Sequence, residues 1–484
     1  MTSSTPLADR WPRDRVRRVH FVGIGGVGMG GIAEVLLNMG YPVSGSDPSD
    51  NAMTRQLSAL GADISRENAG SNVLGADVVV VSSAISADNP EVVAAREARI
   101  PVVPRAQMLA EIMRFRLGVA VAGTHGKTTT TSLIASVLHE GQLDPTFVIG
   151  GRLNSAGTNA RLGQSDWLVA EADESDASFL HLSPVISIVT NVDADHLENY
   201  DGDFDKYKNT FVEFLHRLPF YGLAVLCIDD ANVRAMLPAL QRKFVTYGES
   251  EDADIRAEHI RADGLCMVFD AVFEEGVRLN GIRLNMPGKH NVSNALAAIA
   301  VARELGVGLD EIVTALENFE GVGRRVQRFG VTEVAGRSGV SVELVDDYAH
   351  HPSELQATLA AIRGAWPDRR LVALFQPHRY SRTRDLFDGF VDALQAVDVL
   401  LISEVYAAGE APIDGATGRD LCKAVGAGGA LQPVYLADIE SAVPSLRMLL
   451  EDGDVLITLG AGSVGSLAPR LPALLGQEAI SDVG

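Results

Sequence analysis

Apolar positions along this chain fall into two rhythms, short unbroken runs and helical spacings, and the two alternate. Val16-Arg17-Arg18-Val19-His20-Phe21-Val22 reads as a strand that ends in glycines. Met29, Ile32, Leu36 and Met39 then share one helical face, and Gly40 stops the helix. Tyr41–Asp47 and Ala76–Ser83 read as further strands. This β-α-β alternation predicts an open parallel sheet that runs to about residue 115. Residues 1–15 read as a loosely held leader.

A second unit opens with the strand Leu117–Ala122, and Trp167–Ala170 and Val185–Val189 read as central strands. Between about 254 and 286 short segments are separated by Ala262-Asp263-Gly264, Glu275-Gly276 and Asn280-Gly281, the pattern of an attached β-meander. Helix returns from about Asn291 to Leu305. A third unit starts near Gly323. Val340, Val342 and Leu344 alternate with Ser341 and Glu343 as in a strand, and Leu371–Phe375, Val397–Ile402 and Asp454–Leu459 supply later ones. The expectation is three α/β domains, over residues 1–115, 116–322 and 323–484. A length of 484 residues agrees, at roughly 100–200 residues per domain.

Composition narrows the partners more than the fold. Lys and Arg number 41 against 63 Asp and Glu, a formal charge of −22. Such a surface repels nucleic acid and anionic membrane, so an anionic ligand must be held by local cations and backbone N–H groups. Cys227, Cys266 and Cys422 lie far apart and read as small buried residues, not as a metal cluster or disulfide framework. The first residues lack the apolar core of a signal peptide, and no stretch reaches the ~18 apolar residues of a membrane span. A cytoplasmic protein is the expectation.

The chemistry concentrates after strands. The strand Leu117–Ala122 feeds Gly123-Thr124-His125-Gly126-Lys127-Thr128-Thr129, and an apolar helix follows. Glycines there turn backbone N–H groups toward phosphate oxygens, and the helix N-terminus adds its dipole. Lys127 is placed to reach β- and γ-phosphates and the Thr128 hydroxyl to ligate Mg²⁺. Val121 stands where the usual phosphate loop has glycine, so the loop is a variant. Two acidic clusters end later strands, Glu171-Ala172-Asp173-Glu174-Ser175-Asp176 and Asn191-Val192-Asp193-Ala194-Asp195-His196. Their oxygens suit Mg²⁺, and His196 adds a nitrogen.

Gly23-Ile24-Gly25-Gly26-Val27-Gly28 lies between a strand and a helix, with Asp47 at the next strand end. This is the dinucleotide fingerprint, and it fits any diphosphate carrying a ribose. Alone it suggests an NAD(P)-dependent oxidoreductase. Asn291 and Asn294, at a helix start, suit either a base edge or a cap. In the third unit, Asp346-Asp347-Tyr348-Ala349-His350-His351 and Gln376-Pro377-His378-Arg379-Tyr380-Ser381-Arg382 follow strands. Paired arginines there suit carboxylate or phosphate, and His with Tyr suits proton transfer.

In this order the motifs resemble those of the Mur ligases, over essentially the whole chain after the leader. The resemblance implies an N-terminal Rossmann-like domain, a central P-loop ATPase-like domain with the meander, and a C-terminal Rossmann-like domain. It implies an ATP- and Mg²⁺-dependent amide ligase. UDP-N-acetylmuramate would be phosphorylated on its carboxylate, and the amine of L-alanine would displace the phosphate. Thr128, Glu171 and His196 would hold Mg²⁺. Asn291 and Asn294 would contact adenine, with Arg325 and Asp346 nearby. Tyr348, His350, His378, Arg379 and Arg382 would form the alanine and acyl-phosphate side. Gly25, Gly26, Val27, Gly28, Asp47, Ser83 and Arg105 would hold the UDP part. Several relatives carry a carbamylated lysine at a position that reads Phe211 here. A sister ligase that adds a preformed peptide in wall recycling shares these motifs.

Overall fold

A computed structural model of the protein describes residues 16–429 and 431–477. The leader expected over residues 1–15 lies outside the described residues. Three sheets carry the fold, as the three-domain α/β reading requires. The first contains β1 (Val19–Val22), β2 (Val43–Ser46), β3 (Asp63–Ser65), β4 (Val78–Val81) and β5 (Val102–Pro104), in the order β3-β2-β1-β4-β5. All its pairings are parallel. The order reverses direction between β1 and β4, and ligands of open sheets gather outside the carboxyl ends of the strands at such a point. The Gly23–Gly28 loop leaves β1 there, and Ser83 follows β4.

The second sheet takes β6 (Leu117–Ala122), β7 (Thr146–Leu153), β8 (Thr158–Arg161), β9 (Trp167–Glu171), β10 (Ile186–Val189), β11 (Leu223–Cys227), β12 (Phe244–Gly248), β13 (Ile255–Asp263), β14 (Cys266–Phe273) and β15 (Arg278–Leu284). Its order is β15-β14-β13-β12-β11-β10-β6-β9-β7-β8. The predicted meander is β13 to β15, at one edge. β6 lies between β10 and β9 and pairs parallel to both. Its C-terminal loop is therefore flanked by the ends of the strands that carry the two acidic clusters.

The third sheet holds β16 (Gln327–Glu333), β17 (Ser341–Asp347), β18 (Leu371–Phe375), β19 (Val399–Ser403), β20 (Val434–Leu436) and β21 (Val455–Leu459), in the order β16-β17-β21-β18-β19-β20. Only β16 is antiparallel. Residues on its two faces fill separate cores, one around Phe375, Phe390 and Leu421, the other around Leu374, Leu446 and Leu467.

The described residues gather into two compact units. One reaches His259 and adds Phe269–Leu284 and Asn291–Glu320; the other takes Ile260–Val268, Asn285–His290 and everything from Gly321. The first sheet and the second, apart from portions of β13 and β14, thus share one unit, for packing reasons. A single core runs from Phe21 and Ile32 through Val148 and Ala160 to Phe214. Gly31, on the helix Val27–Asn38, leaves room for Ala160, since a Cβ there would lie 3.2 Å from the Ala160 side chain. Asn159 donates to the Val27 carbonyl at 2.8 Å, and buried Glu34 accepts from Gln56 at 3.0 Å and Thr158 at 3.3 Å. Burial raises the Glu34 pKa against the pull of Thr158 and Gln56. The three cysteines are free and buried, as expected. No helix of the described residues is long and apolar enough to cross a membrane.

In the second unit, Arg370 grips buried Asp454 with two hydrogen bonds, at 2.9 and 2.8 Å, and so joins the entries of β18 and β21. Asp454 also accepts the Glu451 N–H at 2.7 Å. Breaking a buried, hydrogen-bonded pair strands its partner. Asp454→Ala should lower unfolding stability by about 2–4 kcal/mol, read in urea. A loss under about 0.5 kcal/mol would show that the pair contributes only as an exposed one does.

Candidate active site

The loop after β6 departs from ordinary backbone at two glycines. Gly123 has φ +130° and Gly126 φ +82°, conformations that side chains disfavour. A Cβ on Gly123 would collide with the Thr190 hydroxyl, and one on Gly126 would lie 2.7 Å from Asn294 Oδ1. The loop is braced from the end of β10. The Thr124 N–H donates to the Asn191 carbonyl at 3.1 Å and the His125 N–H to Asn191 Oδ1 at 2.8 Å. The Thr190 hydroxyl donates to the His125 carbonyl at 2.6 Å. Thr124 Oγ1 accepts the Asp193 N–H at 2.9 Å and meets the Tyr207 hydroxyl at 3.0 Å. Sequence reasoning took the Asn191–His196 cluster chiefly as a metal site. Its first half shapes the phosphate loop, because a glycine-rich turn needs outside partners to hold one form.

Lys127 opens the helix Lys127–Glu140. Its ammonium donates to the Gly123 carbonyl at 2.6 Å, the Thr124 carbonyl at 3.0 Å and Glu174 Oε1 at 2.9 Å. Burial works against that charge, but Glu174, Asp173 and Glu171 together raise the Lys127 pKa. Glu174 Oε2 is buried without a hydrogen-bond partner among the described residues. Asp173 pairs with Arg105 at 2.9 Å. Burial opposes its ionisation, yet Arg105 and Lys127 prevail and hold its carboxyl below the usual range. Thr128 Oγ1 lies 3.2 Å from Glu171 Oε2, so these two predicted oxygen ligands are together. Thr129 is buried one position on. His196 sits in a left-handed turn, φ +55°, its ring 3.5 Å from Asp195 and 3.8 Å from Glu198. Phe211 packs edge-on against Phe179 at 5.3 Å and Tyr207 at 5.2 Å. Phe211 thus belongs to an aromatic cluster.

Asn294 is turned to the loop. It accepts from Thr130 at 3.0 Å and donates to Asn291 at 3.1 Å, both residues being buried. In the Gly25–Gly28 loop, Asp47 accepts the Gly25 N–H at 2.9 Å through one oxygen and the Ser49 N–H at 2.9 Å through the other. The fingerprint acid therefore orders its own loop. Gly26 and Val27 begin the following helix, Arg105 lies along Gly28, and Ser83 is exposed.

The second unit assembles its own cluster at the carboxyl ends of β17, β18 and β21. Tyr348 and His350 meet edge-on at 5.2 Å, and His350 and His378 at 5.9 Å. Tyr406 lies flat on His378, at 5.5 Å and 11°. Arg324 and Arg325 stand over the Tyr348 ring at 5.0 and 5.3 Å. Asp346 is turned inward, accepting from Arg324 at 2.9 Å and Thr458 at 2.6 Å. Burial raises the Asp347 pKa against the pull of Arg325, and burial with Arg325 takes His290 down to about 4. Arg379 has φ +69°, donates its N–H to the Tyr406 carbonyl at 2.9 Å and lies 3.8 Å from Glu410. Arg382 reaches His378 Nδ1 at 3.4 Å. Sequence reasoning missed Tyr406, Glu410 and Glu354. Only Glu354 carried a signal: Pro352 and Glu354 after His351 mark the first turn of the helix Pro352–Ala365.

Burial pushes Glu174 up to about 7, from 4.5, against the pull of Lys127. Between those values the folded state holds the extra proton, so stability falls as pH rises through that window. Glu174→Gln removes the titration. From pH ~5 to ~7 the unmodified protein should lose up to about 3 kcal/mol relative to the variant, at about 1.4 kcal/mol per pH unit. Parallel urea-unfolding stabilities across that range would refute the assignment.

Comparison with known proteins agrees across the chain. Residues 18–116 match the family description "Mur ligase family, catalytic domain", 121–302 "Mur ligase middle domain" and 324–462 "Mur ligase, glutamate ligase domain". A UDP-N-acetylmuramate–L-alanine ligase of Azoarcus sp. (strain BH72) is 60% identical, over 95% of this chain and 98% of its own length. One from Laribacter hongkongensis is 58% identical, over 96% and 100%. Among solved structures, the UDP-N-acetylmuramate-alanine ligase of Thermotoga maritima is 30% identical with TM-score 0.78, over 94% of this chain and 98% of that one. A murein peptide ligase of Psychrobacter arcticus is 25% identical with TM-score 0.70, over 96% and 99%. Three sheets, their strand-end loops and these matches together make the chain a member of the Mur ligase family.

Proposed function

We propose that this protein joins L-alanine to the carboxylate of UDP-N-acetylmuramate, using ATP and an acyl-phosphate intermediate, in the cytoplasmic assembly of the peptidoglycan precursor. The observation that carries this reading is near-full-length identity of 58–60% to ligases named for that reaction. Labour divides over residues 1–115 for the UDP substrate, 116–322 for ATP and 323–484 for the amino acid.

The residues fit a magnesium nucleotide. Two glycines shape a backbone cradle, Lys127 stands at a helix start, and Thr128 with Glu171 offers hard oxygen donors. Mg²⁺ held by Thr128, Glu171 and His196 would offset charge on the transferring phosphoryl group. Lys127 spends its three donors on Gly123, Thr124 and Glu174, so it greets phosphate by exchanging a carbonyl or carboxylate for it. Asn291 and Asn294 back the loop on the adenine side, with Arg325 and Asp346 as further nucleotide contacts. The Gly25–Gly28 loop, Asp47, Ser83 and Arg105 serve the UDP diphosphate and ribose.

A carboxylate at neutral pH is a poor electrophile, because its leaving group would be oxide; phosphorylation supplies a usable one. Tyr348, His350, His378, Arg379 and Arg382 then serve the acyl phosphate and the incoming amine. The oxidoreductase reading leaves Lys127, Thr128 and Glu171 without a task and is not favoured.

Phosphate release should require UDP-N-acetylmuramate and L-alanine together, with a tripeptide acceptor much slower. Preference for the tripeptide would point to the recycling ligase instead. Lys127→Ala should lower ligation at least about a hundredfold, as loss of a transition-state charge contact does, with the circular dichroism spectrum kept. Retained ligation would remove Lys127 from the phosphate-binding role.

A further inference from the structure

Amide formation needs a proton acceptor, because an amino acid arrives as an ammonium ion. Two histidines stand together in the second unit, and the bonds at their Nδ1 atoms tell them apart. His350 Nδ1 lies 3.1 Å from the Tyr348 backbone carbonyl and 3.1 Å from Glu354 Oε2. A carbonyl and a carboxylate only accept, so the hydrogen resides on Nδ1. Nε2 is the ring atom left to gain or lose a proton. Glu354 Oε2 also accepts the N–H groups of His350, at 2.9 Å, and His351, at 3.3 Å. Those bonds hold the carboxylate beside the ring, on the first turn of the helix Pro352–Ala365.

His378 has the opposite arrangement. A guanidinium only donates, and Arg382 Nη1 lies 3.4 Å from His378 Nδ1. His378 Nδ1 is therefore an acceptor, and its hydrogen belongs on Nε2. Tyr406 fixes that ring by lying flat on it. Among the described residues, the rings of Tyr348 and His378 and the carboxylate of Glu354 face His350. One histidine of the pair is set to take a proton, the other to give a hydrogen bond.

We infer that His350 Nε2 deprotonates the attacking amine, with Glu354 as the positioning residue that fixes its tautomer, while His378 donates to the acyl-phosphate oxygen. This rests on the ligase reading above. The ammonium passes one proton to His350 Nε2, and its freed electron pair forms the C–N bond at the acyl carbon. The C–O bond to phosphate breaks, the second nitrogen proton leaves with the phosphate, and His350 returns its proton to solvent. A neutral nucleophile needs no such acceptor, and hydroxylamine is largely unprotonated at neutral pH.

The experiment compares L-alanine with hydroxylamine, each with ATP and UDP-N-acetylmuramate, in the full-length enzyme. His350→Gln should slow alanine ligation about a hundredfold or more, in the range of general-base catalysis, with hydroxamate formation kept within severalfold. As pH rises toward the amine's own pKa the alanine deficit should shrink about tenfold per pH unit, because free amine accumulates. Glu354→Gln should lower kcat for alanine about tenfold with KM unchanged, and His378→Ala should slow both nucleophiles alike. Equal loss of both reactions in His350→Gln, or selective loss in His378→Ala, would overturn the assignment. Absence of hydroxamate in the unmodified enzyme would instead overturn the ligase reading on which it stands.

Discussion

Everything in the first unit depends on holding one short loop in a form it would not keep alone. Gly123–Thr128 contains backbone that few residues adopt. Its stiffness comes from elsewhere. β6 pairs in parallel with β10, so the end of β10 runs beside the loop, and Thr190, Asn191 and Asp193 spend their polar groups on it. Tyr207 reaches the same threonine from the helix Phe204–His216. Burial raises the Tyr207 pKa, so its hydroxyl stays a neutral partner. A loop braced this way meets its ligand with little entropy left to lose.

The second unit solves a related problem with side chains instead of backbone. Its cluster comes from strand ends tied by buried pairings such as Asp346 with Arg324 and Thr458. Stacked rings set the spacing and hydrogen bonds at ring nitrogens set the tautomers. Precision of this kind does not need burial of every atom; it needs each ring to have one comfortable orientation.

Much of this was legible in the sequence, for a definable reason. Leu117–Ala122 reads as a strand and is one, because a buried parallel strand leaves an unbroken apolar run. β7 interrupts its run with Gly150 and Gly151, and β16 is an edge strand carrying Gln327, Arg328 and Glu333, so neither leaves such a mark. The site divides the same way. Residue types announce themselves, which is why Lys127, Thr128, Glu171 and His350 stand out in the sequence. Partnerships do not. Thr130 meets Asn294 across 164 positions and Thr458 meets Asp346 across 112, and no local pattern records either. Asp47 and Asp346 look like ligand contacts in sequence, and no local pattern records that their oxygens also accept from the protein's own N–H and O–H groups.

Arg105 lies along Gly28 on one side and pairs with Asp173 on the other, one residue from the carboxylate that holds Lys127. The Gly25–Gly28 and Gly123–Thr128 loops are therefore terms in one electrostatic sum. Binding free energies are reciprocal, so an anion at the Gly28 loop that draws Arg105 away from Asp173 changes the charge felt at Lys127. Occupancy at Lys127 alters the hold on that anion by the same factor. Through one guanidinium, two loops from different sheets form a single thermodynamic device.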